Sequence, residues 1–139
     1  MREILFRGKR TDNNEWIEGF YVCISGVRHY ILTGNPVIDP NEISIENYKV
    51  IPSTVGQYTG LTDKNGKRIF EGDILSAHFD ESYPDDETLL LVGNNGYAFT
   101  LKEEYGVPEM IDNYDMRFFD ETFVVIDNVF NNPELLKGE

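Results

Sequence analysis

The sequence is poor in the residues that most often carry chemistry or cross-link a chain: one cysteine, two histidines and one tryptophan. A single cysteine, Cys23, excludes an intramolecular disulfide framework and is the usage of a cytoplasmic protein. It lies in the apolar run Phe20-Tyr21-Val22-Cys23-Ile24, where a free thiol is expected to be buried and inert. A reactive thiol needs a base or a positive charge beside it, and sequence alone does not place Arg28 or His29 against Cys23. His29 and His78 have no Cys or His partner at ligand spacing, which argues against a zinc site; no metal or other cofactor is expected. No apolar run approaches the roughly 20 residues that span a bilayer. The stretch from Met1 to Arg10 has no apolar core of the signal-peptide kind, so no membrane partner is expected. Basic residues are also scarce. Twelve Lys and Arg stand against 25 Asp and Glu, a net charge of −13 that argues against direct binding of DNA or RNA.

What is present describes a folded, β-rich chain. Hydrophobic residues make up 40% and aromatics 13%, and 139 residues suit one domain over 1–139. The charge is divided unevenly along it. Residues 1–79 carry ten acids and nine bases, a net of −1, whereas residues 80–139 carry fifteen acids and three bases, a net of −12. Such asymmetry marks two parts with different solvent or partner demands.

Strand signals dominate. Arg2 to Arg7, Trp16 to Ile24 and Val27 to Leu32 read as strands, the last two joined at Ser25-Gly26. Thr33 to Pro40 is loop, Asn41 to Tyr48 is ambiguous, and Tyr48–Ile51 and Val55–Tyr58 are short strand candidates. Lys67–Phe70 and Ile74–Phe79 follow the turn Asp63-Lys64-Asn65-Gly66, and Glu71-Gly72-Asp73 separates them. Thr88–Val92 and Tyr97–Leu101 flank the hairpin signal Gly93-Asn94-Asn95-Gly96. Lys102 to Met116 is irregular with room for one helical turn, Glu121–Phe130 is the last strand, and Pro133–Leu136 is a short helical turn. With no helix of about ten residues, the pattern predicts a barrel or sandwich.

Searches for catalytic patterns return turns and core. Asp63-x-Asn65 opens like a calcium loop, but Arg68 stands where that loop needs Gly and Ile74 where it needs Glu. Asp80, Glu81, Asp85, Asp86 and Glu87 are expected to form a solvated or partner-facing loop. Tyr97, Phe99, Phe118, Phe119 and Phe123 lack neighbouring bases and are expected in the core rather than as a stacking platform.

The run from Gln57 through Tyr58, Thr59, Gly60, Leu61 and the Asp63-to-Arg68 turn to Phe70-Glu71-Gly72-Asp73-Ile74 resembles the central signature of the YopX family of phage and prophage proteins. Arg2-Glu3-Ile4-x-Phe6-Arg7 resembles its opening, and Asn128-Val129-Phe130 with Asn132 to Leu136 its close. The resemblance implies a mainly β fold with little helix, built on a small SH3-type barrel with additional hairpins. It also implies a phage or prophage origin and a bacterial cytoplasmic location. It brings no activity and no catalytic residues. The positions it marks are Gln57, Tyr58, Thr59, Asp63, Gly66, Glu71, Gly72 and Asp73. Asp63 and Asp73 suit turn-fixing bonds to backbone N–H groups, while Gln57, Tyr58 and Thr59 suit either a buried polar network or a binding edge. The expected function is that of a non-enzymatic, homo-oligomeric accessory protein that binds a host protein. The alternatives are an acidic DNA mimic or other nucleic-acid-related regulator and, third, a carboxylate hydrolase using Asp80 with Asp112 or Asp115.

Overall fold

A computed structural model describes residues 4–32, 48–79, 82, 86–103 and 106–137. The chain divides into two compact units, 1–58 and 59–139. Asn41 to Asn47, the loop from Thr33 and most of the acidic stretch from Asp80 to Asp85 lie outside the described residues.

Unit 1 is antiparallel. Strand β1 (Phe6–Lys9) pairs with β2 (Trp16–Ile24) from Phe6↔Gly19 to Lys9↔Trp16. Strand β3 (Arg28–Leu32) returns along β2 from Phe20↔Leu32 to Ile24↔Arg28. Ser25 and Gly26 both take positive φ, 56° and 71°, which makes the connection a primed turn matched to strand twist. The other edge of β1 takes the start of β4 (Gly56–Thr62), Phe6 opposite Gln57 and Arg7 opposite Gly56. A 3₁₀ turn at Pro52–Thr54 precedes β4, and the Thr54 hydroxyl fixes it by accepting the Lys9 N–H (2.9 Å) and donating to the Ile51 carbonyl (2.6 Å). The core here is small, centred on Tyr30, Ile31, Val50 and Tyr58. Arg7 stacks its guanidinium over Trp16 at 4.9 Å.

Cys23 is exposed, not buried. The reason lies in register. β1 begins at Phe6 opposite Gly19, so Phe20 to Ile24 run past its end and, among the described residues, pair with β3 alone. Phe20 is 58% exposed for the same reason. Cys23 sits directly opposite His29, whose Nδ1 is hydrogen-bonded to the Tyr21 hydroxyl at 2.5 Å. Burial, then the neighbouring Cys23, raises the Tyr21 phenol above its ordinary value.

In unit 2, β4 finishes and adjoins β5 (Arg68–Phe70). A second sheet has the order β10-β6-β7-β8-β9: β6 is Asp73–Ala77, β7 Thr88–Asn94, β8 Phe99–Glu103, β9 Glu109–Met110 and β10 Val124–Asn128. Its inner face gathers Leu75, Ala77, Leu90, Val92, Phe99, Leu101 and Val125 into one cluster with Ile69, Ile111, Phe119 and Phe123. Burial of these groups is what holds the unit, at about 25 cal/mol per Å² removed from water. One short helix, α1 (Arg117–Glu121), drives Phe119 into that cluster; it falls just after the irregular segment, where no helix was expected. Single-turn 3₁₀ elements occupy Ile111–Asn113 and Pro133–Lys137.

Mainly β with little helix is correct; the SH3-type barrel is not. The sheet containing β1 ends on β3 and β5, the other on β10 and β9, and among the described residues no ladder joins either pair of ends. Closure requires continuous staggered pairing of first and last strands. Here β9 has two residues and β5 three, and the far edge of β3 meets only a single bridge, Tyr30 to Lys49. Open sheets result. Among the described residues no helix is long and apolar enough to cross a membrane.

Candidate functional site

In the signature, Thr59, Asp63 and Asp73 bond backbone groups of the chain itself. Asp63 is 4% exposed, and its Oδ1 accepts the N–H groups of Asn65 and Lys67, both at 2.9 Å. Its Oδ2 accepts the Val125 N–H at 2.9 Å, so one carboxylate holds both the turn and the start of β10. Gly66 closes that turn through its N–H to the Asp63 carbonyl at 3.0 Å. Asp73 accepts the Phe70 N–H at 2.8 Å and so shapes the corner between β5 and β6. At that corner Gly72 has φ +88°, and an added Cβ would stand 2.6 Å from the Phe130 ring. Its N–H and carbonyl bond Val92 and Val129, each at 2.8 Å. Only glycine satisfies both the backbone angle and the contact.

Thr59 is wholly buried, donating to the Ile69 carbonyl at 2.8 Å and accepting the Leu61 N–H at 3.2 Å. Tyr58 is buried, with its N–H on the Leu5 carbonyl, and Gln57 and Glu71 are half-buried. The signature thus joins segments far apart in sequence through turns and buried polar groups.

A concave site lies elsewhere in unit 2. A groove of about 400 Å³ runs along the outer face of β6 and β10 and is bounded by the end of α1. Ser76 and Val124, which pair across the two strands, form its floor with His78. Phe79 and Phe118 wall it, and Lys64, Glu121 and Thr122 complete it. Strand alternation explains the placement: Leu75 and Ala77 point into the core, so Ser76 and His78 point out.

The groove's hydroxyls are engaged. Ser76 donates to Glu87 Oε2 at 2.6 Å, and Thr122 Oγ1 accepts the His78 N–H at 3.0 Å. His78 Nδ1 lies 3.1 Å from the Asp86 carbonyl, which can only accept, so Nδ1 carries a proton. The Phe79 ring meets Phe118 and Phe123 edge to face at 5.3 and 5.9 Å and remains 39% exposed. On α1, Arg117 donates through Nε and Nη2 to Asp115, at 3.2 and 2.9 Å to Oδ2. Those bonds hold the Asp115 carboxyl below its ordinary value and raise the Arg117 guanidinium. Burial, then the charges of Glu103 and Glu109, raises the Tyr114 phenol beside this aromatic cluster.

The sequence places Lys64 in a turn, His78 in a strand without a ligand partner and Phe118 among core aromatics, and nothing local joins them. The available signal was the pair of polar outer-face positions, Ser76 and His78, within an otherwise apolar strand. Of the five aromatics expected in the core, Phe99, Phe119 and Phe123 are buried, whereas Tyr97 is 98% exposed on its hairpin. Asp80 lies outside the described residues, so a pairing with Asp112 or Asp115 has no geometry to report.

No curated protein matches the chain. Among solved structures, the crystal structure of protein EF1440 from Enterococcus faecalis is similar at 23% identity, with a TM-score of 0.59 over 98% of this chain and 99% of that one. That likeness concerns the fold. The family described as YopX protein matches residues 5–137, spanning the signature, the groove and both units. The chain belongs to the YopX family.

Proposed function

We propose that this is a phage or prophage accessory protein acting in the bacterial cytoplasm by binding a basic protein, without catalysing a reaction, and that it self-associates. The observation that carries the reading is the charge of unit 2. It holds 18 acidic and six basic residues, a net of −12, against −1 for unit 1. A field of one sign steers an oppositely charged partner and suppresses association with like-charged ones. The non-enzymatic part draws support from the signature, whose buried Thr59, Asp63 and Asp73 bond backbone groups that shape the fold.

A tagged pull-down from host lysate during prophage induction tests it, read by mass spectrometry at low and high salt. A stoichiometric basic protein released by salt is the expected result; turnover of a substrate with no retained partner contradicts it. The same charge favours a second reading, an acidic DNA mimic that displaces a host protein from DNA. A gel shift at low salt separates the two: a mimic fails to shift DNA yet removes a basic protein already bound to it.

A further inference from the structure

Resting on the reading of unit 2 as the surface for a basic partner, we infer that the groove beside β6 receives an arginine side chain of that partner. The guanidinium lies over the Phe79 ring and against the Glu121 carboxylate.

The groove's inventory selects this ligand. Ser76 is closed by Glu87 and Thr122 by the His78 backbone, so neither hydroxyl is the recognising group. What remains is an aromatic face, a carboxylate, an ammonium and one imidazole nitrogen. The aromatic surface is fixed in advance, because T-shaped contacts with Phe118 and Phe123 hold Phe79, a residue that is 39% exposed. The carboxylate is open to a further donor: Arg117, one turn away, feels the Glu121 charge but places its hydrogen bonds on Asp115, and among the described residues Glu121 accepts no hydrogen bond. The Asp86 carbonyl accepts the Nδ1–H of His78, so Nε2 is the ring nitrogen left to face a ligand.

A planar cation with several donors fits that set. Guanidinium stacks on aromatic rings, forks to carboxylates and is weakly hydrated, whereas the lysine ammonium is a strongly hydrated point charge. Lys64, also on the groove, disfavours a bare cation, which gains no stacking to offset the like charge. A peptide instead offers carbonyl oxygens to that ammonium. Anionic ligands are opposed by the −12 of unit 2.

The test is amide-resonance NMR of the full chain titrated with an acetylated, amidated Ala-Arg-Ala peptide and its lysine and citrulline analogues. The arginine peptide should give saturable shifts confined to residues 76–79 and 118–124. The lysine peptide should bind at least about five-fold more weakly, and the uncharged citrulline peptide should not saturate. Phe79→Leu keeps an apolar side chain and Glu121→Gln keeps an exposed one. Each should weaken the arginine peptide at least about three-fold while the resonances outside the groove show the chain still folded. Equal binding of the arginine and lysine peptides, or shifts spread over the acidic surface without the groove, overturns the inference. If the doubly substituted chain still captures a basic protein undiminished, the groove assignment falls and the proposed function stands. If the groove binds the arginine peptide in a chain that captures no basic protein, the proposed function falls alone.

Discussion

Units 1 and 2 meet the demand for stability in opposite ways. Among the described residues unit 1 buries four hydrophobic side chains and unit 2 thirteen, yet unit 2 carries the net charge of −12. Self-repulsion opposes compaction, so the charged unit needs the larger apolar core and the more heavily pinned turns. Unit 1, nearly neutral, leaves Phe20, Ile24 and Val27 exposed on its β2–β3 hairpin and relies on smaller devices such as the Thr54 bonds and the Arg7–Trp16 stack. The contrast teaches that the charge is a property of a well-held body, which is what a recognition surface requires.

The largest contrast is between a buried ring of unit 2 and an exposed ring of unit 1. Phe123→Ala in unit 2 removes a wholly buried ring packed on four other aromatic side chains and should cost about 4 kcal/mol. Phe20→Ala in unit 1 should stay within about 0.5 kcal/mol, as exposed substitutions do. Urea denaturation followed by circular dichroism measures both; similar losses would show that the two units are not held differently.

Next come the pinned turns. Asp63→Ala strips three backbone N–H groups of their acceptor and should cost about 3 kcal/mol by the same measurement. Gly72→Ala and Gly26→Ala share positive φ, 88° and 71°, but only Gly72 has a ring in the way. Gly72→Ala should therefore cost about 3 kcal/mol and Gly26→Ala about 1 kcal/mol. Equal costs would mean that Phe130 yields freely.

The smallest effect is in alkali. Burial raises both Tyr21 in unit 1 and Tyr114 in unit 2, so each fold favours the neutral phenol. That contribution is complete below the unfolded value near pH 10 and is lost as pH rises through the higher folded value. Tyr21→Phe and Tyr114→Phe should each remove one phenolate absorbance step above pH 10, and a missing step starting below pH 10 would contradict the assigned burial.

Much of the strand content was legible because alternation and turn chemistry are local. Ser25-Gly26 and Asp63-to-Gly66 mark turns where the chain reverses, whereas past Gly93 and Asn94, which still pair in β7, the reversal falls at Asn95 to Ala98. Sheet closure was not legible, since it depends on whether end strands meet, and β5 and β9 are too short to advertise their ends. The exposure of Cys23 depended on where β1 begins, a register fact invisible in the apolar run itself. The groove escaped for a related reason. Lys64, His78 and Glu121 lie on a turn, a strand end and a helix end, and only the β6–β10 pairing and the placement of α1 bring them together.

The central claim, that recognition belongs to the acidic surface of unit 2, is tested most directly with charge-matched variants. Asp112→Asn with Asp120→Asn removes two exposed charges from unit 2, and Glu15→Gln with Glu18→Gln removes two from unit 1. Capture of the basic partner should fall only in the unit 2 pair, and the difference between the pairs should shrink as salt shortens the screening length below about 8 Å. Equal loss in both pairs, or loss in the unit 1 pair alone, would contradict the account.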